Sequence, residues 1–164
     1  MEDLKDQVLF DEIYRDYLDQ VSRIDLDTIK NPLGLVVNGQ EAVIPLVGRD
    51  YRVSGQGTFD PAGRRPSHSV SVVLAKYLLM CPEPEPTESD WVAYRDFKDA
   101  GPFVYGFRVN AEENIAKTFA GRRKALEELC APLAGRPSQD DYPGELKMRF
   151  DALPRVPMLM LFND

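Results

Sequence analysis

The chain of 164 residues ends in ALPRVPMLMLFND, residues 152–164, and this stretch decides how its sheet is interpreted. Positions 156–162 are all apolar, and a strand without polar alternation is expected to be buried on both faces. Only two residues follow that strand. We therefore interpret the chain as shortened after Asp164, and we expect an exposed apolar patch near Met158, Met160 and Phe162. Such a patch should drive homo-oligomerisation through the C-terminal strand region.

Apolar residues recur at helical spacing in three parts of the chain. Residues 3–22 form the first predicted helix, with acidic residues between its apolar positions. The third predicted helix is capped by Asn110, breaks at Gly121 and ends at Gly135. The second covers residues 70–81, and its apolar face should be among the least exposed parts of the chain: Val70, Val73, Leu74, Tyr77, Leu78 and Cys81.

Strand patterns lie between these helices. Residues 33–37 and 41–47 flank Asn38-Gly39, a dipeptide that favours a two-residue hairpin turn, and residues 51–53 extend the pair into a meander. A second hairpin is predicted from the alternation in residues 91–97 and 103–109, with a turn at 99–102. A further strand covers residues 145–150. The Pro-Glu stretch of residues 82–90, PEPEPTESD, should be an extended connector.

These elements predict the α+β class. We expect one domain over residues 1–164, in which antiparallel meanders and hairpins form a mixed sheet packed by about three helices. Its composition, 43% apolar and 29% charged, is that of a soluble globular protein. No apolar run approaches the ~20 residues of a membrane span, and the acidic N-terminus is no secretory signal, so we expect a cytoplasmic protein that does not enter membranes. A net charge of −7 makes nucleic acid a poor partner.

Few residue types suited to catalysis or metal binding are present. His68 is the only histidine, and neither it nor the two isolated cysteines have the spacing of a zinc or iron-sulfur site. We assign no catalytic residue, no metal ligand and no cofactor. Cys81 and Cys130 lie on apolar helical faces and are predicted to be reduced and buried, with a disulfide between them as the alternative.

One candidate ligand site lies in the loop of residues 54–68, SGQGTFDPAGRRPSH. Arg64, Arg65, Ser67 and His68 precede the second predicted helix, where free N–H groups and the helix dipole favour an anion. Two arginines add bidentate donors for carboxylate or phosphate. The alternative is a basic loop that pairs with the acidic surface around it.

Several stretches of the chain resemble a known family. They are VVLAKYLLM at 72–80, WVAYRDFKDAGPFVYGFRVN at 91–110, KTFAGRRKALEELCAPLAG at 117–135 and LPRVPMLMLFND at 153–164. Together they resemble an uncharacterised domain-of-unknown-function family of anaerobic bacteria and archaea, over most of the chain from about residue 33. In that family the apolar strand is followed by an acidic-aromatic-proline signature and a C-terminal helix, which this sequence lacks.

The resemblance implies little about activity. The resemblance implies that some relatives are fused to iron-sulfur modules, and the anaerobic hosts imply a setting in corrinoid or one-carbon metabolism. No catalytic residue can be transferred. The leading hypothesis is a non-enzymatic binding or accessory module of an anaerobic cytoplasm that recognises an anionic small molecule, a cofactor or a partner protein. The alternative is an enzyme that uses carboxylates and Arg64 or Arg65. A raised carboxylate pKa in a concave pocket would favour the enzyme, and a flat, exposed apolar patch would favour the interaction module.

Overall fold

The computed structural model describes residues 2–82 and 90–164, with side chains described from residue 11 onward. The α+β class is confirmed, but the described strands form two antiparallel sheets rather than one. The chain divides into two compact units. Unit 1 contains the chain up to residue 86 together with residues 151–156, and unit 2 contains residues 87–150 and 157–164. The single-domain organisation stays a prediction.

Unit 1 contains a four-stranded antiparallel meander with the order β1-β2-β3-β4, and three helices. Val36 pairs with Val43 and Ile44 pairs with Tyr51, while the last strand is held through Val53 and Thr58. The elements are α1 (Glu2–Ser22), α2 (Leu26–Leu33), β1 (Val36–Asn38), β2 (Glu41–Leu46), β3 (Arg49–Ser54), β4 (Gly57–Phe59) and α3 (His68–Leu79). Its core contains the fully buried side chains of Leu33, Ile44, Val53, Leu74 and Leu78.

The helices predicted over residues 3–22 and 70–81 are confirmed as α1 and α3. On α3 the predicted buried face is wrong in part, because Leu74 and Leu78 are buried whereas Val73 is exposed. Helix α2 was not predicted. It is capped by the Asp25 side chain at its start, and by Gly34 with a left-handed φ of 67° at its end.

The meander is confirmed, with two corrections. Asn38 pairs with Glu41, so the two loop residues of the first hairpin are Gly39 and Gln40 rather than Asn38 and Gly39. Part of the predicted loop 54–68 is strand β4, which extends the meander by pairing Ser54 with Gly57. The predicted connector of residues 82–90 lies almost entirely outside the described residues.

Unit 2 contains helices, short 3₁₀ turns and most of a three-stranded sheet with the order β5-β6-β7. Its elements are α4 (Val104–Phe107), α5 (Glu113–Phe119), α6 (Arg123–Cys130), β5 (Arg136–Pro137), β6 (Leu146–Leu153) and β7 (Val156–Phe162), and the last two strands extend into unit 1. Alternate residues of β6 are buried, including Leu146, Met148 and Phe150. The strand predicted over residues 145–150 is thus confirmed.

The predicted hairpin of residues 91–109 is wrong. This stretch has 3₁₀ turns at Tyr94–Asp96 and Gly101–Phe103, then α4, then a π-helical turn at Arg108–Glu112 that leads into α5. Asn110 therefore lies inside a π turn instead of capping a helix. Short alternating apolar runs fit helix and strand alike, and Pro102 begins a helical turn because proline suits that position.

Strand β7 forms as predicted, but its expected burial on both faces is wrong. Val156, Met158 and Leu161 are exposed, whereas Phe162 is buried. Strand β7 lies at the edge of its sheet, with a strand partner on one side only among the described residues, so fewer side chains of its own sheet surround it. The predicted patch is therefore confirmed at Met158 and wrong at Phe162.

Both cysteines are free thiols, as predicted. Cys130 is buried, and burial raises the pKa of its thiol, while Cys81 is only partly buried. Among the residues that the structure describes, no helix is long and apolar enough to cross a membrane. The described part of the chain also contains no cluster of three or more His, Cys, Asp or Glu side chains placed to hold a metal ion.

Candidate functional site

The loop of the predicted anion site is organised around a buried carboxylate, Asp60. Its Oδ1 accepts the backbone N–H groups of Ala62 and Arg64, both at 2.9 Å. Its Oδ2 accepts the Arg49 guanidinium at 2.8 Å and the Arg64 guanidinium at 3.1 and 3.2 Å. Hydrogen bonding from the Arg64 backbone is the main reason that the pKa of Asp60 is lowered. Arg64 therefore neutralises a carboxylate of its own loop.

The other three predicted residues each have a structural contact as well. Arg65 lies over the ring of Phe59, 5.8 Å from its centroid. The Ser67 side chain caps α3 by accepting the N–H of Val70. His68 meets the ring of Tyr14 edge-on, with 5.8 Å between the centroids. These contacts support the alternative in which the basic loop pairs with its own surroundings, and an anion at this loop stays a prediction.

Through Asp60, the stability of unit 1 is expected to depend on pH in acidic solution. Because its pKa is lower in the folded state than in the unfolded state, its contribution is present at neutral pH and is lost as the pH falls through the folded pKa. Asp60→Asn should therefore be less stable than the native chain at about pH 7, with a difference that shrinks toward about pH 3 in urea unfolding. The exposed Asp19→Asn is the matched control. A gap that stays constant with pH would contradict this role.

The turn between β6 and β7 lies in the sequence PRVP, residues 154–157, and is called the PRVP turn; it contacts α2 and α3 of unit 1. The backbone N–H of Arg155 donates to the Tyr77 hydroxyl at 3.1 Å, and that hydroxyl donates to the Leu33 carbonyl at 2.8 Å. The Arg155 guanidinium donates to the carbonyls of Asn31 and Pro32, both at 3.0 Å. The turn thus caps the carboxyl end of α2, and Arg155 has a structural role there.

An unusual surface lies in unit 2, on the segment that was predicted to be a hairpin. Phe97, Phe103 and Tyr105 have 58%, 64% and 70% of their surface exposed. Large aromatic side chains normally provide the core of a fold, so several exposed in one short segment call for an explanation. We call this set the aromatic surface: Tyr94, Phe97, Phe103, Tyr105 and Phe107.

Contacts between rings hold the aromatic surface in place. The Tyr94 and Phe107 rings stack with centroids 4.2 Å apart, and the Phe97 ring meets Tyr94 edge-on at 6.5 Å. The Arg108 guanidinium lies over the Tyr105 ring at 5.4 Å. Tyr94, Phe97 and Phe107 therefore order one another through ring contacts, and Tyr105 is ordered by Arg108.

An open groove of about 390 Å³ lies within this surface. It is lined by Tyr94, Phe97, Lys98, Asp99, Ala100 and Phe103. Its apolar rings and its two charged residues of opposite sign resemble the apolar centre and polar rim of an interface. The π-helical turn at Arg108–Glu112 follows directly, and such turns are frequent at functional sites.

Trp91, three residues before the first residue of the aromatic surface, contacts Asp140 and Arg149. Its Nε1 donates to Asp140 Oδ1 at 3.1 Å, and the Arg149 guanidinium lies over its ring at 5.4 Å. Ser138 donates its hydroxyl to the same carboxylate, and Lys147 donates to the Asp140 backbone carbonyl at 2.7 Å. The hydrogen bond from Ser138 is the main reason that the pKa of Asp140 is lowered. The chain just before the aromatic surface is therefore hydrogen-bonded to the loop after β5.

Sequence reasoning placed these aromatic residues on the strands of a hairpin. The signals that oppose a hairpin were local. Pro102 suits the first turn of a helix, and Glu113 and Lys117 form an i,i+4 pair with the favourable order of charges. Neither signal says that the rings are exposed, because exposure depends on which parts of the chain pack against them.

The chain was also compared with known proteins. A family described as a domain of unknown function (DUF3786) matches residues 25–164. No curated protein and no solved structure matches the chain. The matched region contains every element from α2 to β7, including the aromatic surface and the PRVP turn. The chain therefore belongs to the DUF3786 family of domains of unknown function.

Proposed function

We propose that this protein is a non-enzymatic interaction module whose aromatic surface binds a partner protein. The observation that carries the proposal is the exposure of Phe97 and Phe103 at an open groove, with Tyr105 exposed two residues after Phe103. An apolar side chain of the partner fits between the rings, and Lys98 and Asp99 at the groove offer charges for polar groups around it.

The free energy available at this surface is sufficient for recognition. Burial of apolar surface contributes roughly 25 cal/mol per Å², and aromatic residues dominate the energetics of many interfaces. The stacked Tyr94 and Phe107 rings are already ordered, so binding has less side-chain entropy to overcome. A small-molecule ligand usually buries most of its surface in an enclosed pocket. This open groove, lined by rings, is better suited to an inserted side chain of a partner protein.

The carboxylates favour the interaction module over the enzyme. Among the described residues, Asp60, Glu113 and Asp140 have pKa values that depart clearly from the usual range, and all three are lowered. A carboxyl that acts as a general acid needs the opposite shift. Arg64, one of the two arginines that the enzyme hypothesis invoked, pairs with Asp60 and serves the fold of its own loop.

The setting of the proposed partner comes from the resemblance. An anaerobic cytoplasm and relatives fused to iron-sulfur modules make a protein that carries such a module the first candidate partner. In that interpretation the protein described here positions its partner and contributes no reacting group. Nucleic acid is not the proposed partner, since the chain has a net charge of −7.

The partner can be identified by crosslinking from inside and outside the aromatic surface. A photo-reactive phenylalanine analogue replaces Phe103 in one variant and Leu129 in another, because Leu129 is an exposed apolar residue of the same unit outside the aromatic surface. In cells of the source organism, we expect one protein to crosslink from position 103 and not from position 129. If position 103 captures nothing beyond what position 129 captures, the proposal is wrong.

A further inference from the structure

Strand β7 has an edge, here called the free edge, that pairs with no strand in the part of the chain that the structure describes. It is the last strand in the order β5-β6-β7, and no other described strand pairs along its outer side. An edge strand presents N–H and C=O groups that can pair with a further strand. The group that completes this edge must therefore be an extended backbone.

The edge lacks most of the devices that usually prevent pairing. Natural edge strands carry charged residues, bulges or prolines, whereas β7 has the sequence VPMLMLF, without a charge. Met158 and Leu161 are 48% and 41% exposed, so apolar surface accompanies the open backbone groups. A strand of this kind is suited to pairing with another apolar strand.

Pro157 shows which backbone groups face outward. Proline has no N–H to donate to a neighbouring strand, so in an edge strand it takes a position that faces away from the sheet. The backbone N–H and C=O groups of successive residues point to opposite sides of a strand. Those of Leu159 and Leu161 therefore point outward, on the same side as Pro157. The free edge thus offers the carbonyl of Pro157 together with the N–H and C=O groups of both leucines.

We propose that the occupant of this edge is β7 of a second copy of the chain, paired antiparallel about a two-fold axis at Leu159. In that register Leu159 exchanges two hydrogen bonds with its own equivalent, and each Leu161 N–H reaches the Pro157 carbonyl of the other copy. The missing N–H of Pro157 removes only one bond at each end. No like charges meet, because the strand has none. The proposal rests on β7 alone and is independent of the aromatic surface.

Sedimentation velocity across a range of concentrations tests this pairing. The native chain is expected to form a dimer in a concentration-dependent way. Leu161→Lys, which places a charge on an already exposed residue at the edge, should weaken the dimer at least about tenfold, as a buried unpaired charge does at an interface. Met158→Lys is a second variant on the same strand, and circular dichroism verifies that both are folded.

Leu129→Lys is the matched control, because it makes the same substitution at an exposed apolar residue on α6. It should leave the dimer unchanged within about twofold, which is less than about 0.5 kcal/mol. A native chain that is monomeric at every concentration would overturn the proposal. A Leu129→Lys variant weakened as much as the β7 variants would also overturn it, since association would then be general apolar contact.

Discussion

Replacing Leu74 by alanine is expected to lower the free energy of unfolding by about 2 to 5 kcal/mol. Leu74 is 0% exposed and lies on α3, where it belongs to the core cluster of unit 1 with Ile44 and Val53. The truncation removes buried methyl groups and leaves a cavity that the packed meander can fill only in part. Urea unfolding followed by circular dichroism measures the loss.

The neighbouring Val73→Ala is the control for this prediction. Val73 is 44% exposed, and surface substitutions of this kind change stability by within about 0.5 kcal/mol. The pair separates cavity formation from any effect of alanine on the helix, because both variants change the same turn of α3. Comparable losses in the two variants would show that the buried face of α3 is assigned wrongly.

Replacing Tyr77 by phenylalanine should cost about 1 to 3 kcal/mol, although it removes a single oxygen. That hydroxyl donates to the Leu33 carbonyl and accepts the N–H of Arg155, so its removal affects a buried carbonyl at the end of α2 and an N–H of the turn between β6 and β7. Tyr105→Phe, on a side chain that is largely in solvent, should change little. Urea unfolding of both variants at neutral pH makes the comparison, and equal stability of Tyr77→Phe and the native chain would contradict the role of this hydroxyl.

The same hydroxyl gives a dependence on alkaline pH. Burial raises the pKa of Tyr77 above its usual value of 10.0. A raised pKa in the folded state means that the contribution is complete below the unfolded pKa and is lost as the pH rises through the folded pKa. The stability difference between the native chain and Tyr77→Phe should therefore shrink in strongly alkaline solution. A difference that grows with pH would show the wrong sign.

The meander and α3 were predictable because their signals are local. The Asn38-Gly39 dipeptide indicates a turn and the spacing of Leu74 and Leu78 indicates a helix, and the structure confirms the meander and α3, with the turn at Gly39 and Gln40. Helix α2 was missed because its signals, Asp25 and Gly34, flank only eight residues. Its stability depends instead on contacts from distant parts of the chain, Tyr77 and Arg155.

The surfaces were harder to predict than the elements. Val156–Phe162 was correctly predicted as a strand, but its burial depends on how many strands flank it, which apolar composition does not encode. Arg64 was correctly placed in a basic loop before a helix, but its carboxylate partner Asp60, in the same loop, was not predicted. The aromatic surface was missed for a related reason, because aromatic residues usually lie in the core.

The measurement that tests the central proposal most directly is the affinity of the crosslinked partner, once purified, for three forms of this protein. Calorimetric titration of the native chain, Phe103→Ala and Leu129→Ala compares an aromatic residue of the groove with an exposed apolar residue outside it. We expect Phe103→Ala to weaken binding at least about tenfold, as a residue at the centre of an interface does, and Leu129→Ala to change it less than about twofold. Equal affinity of all three forms would show that the aromatic surface does not bind the partner.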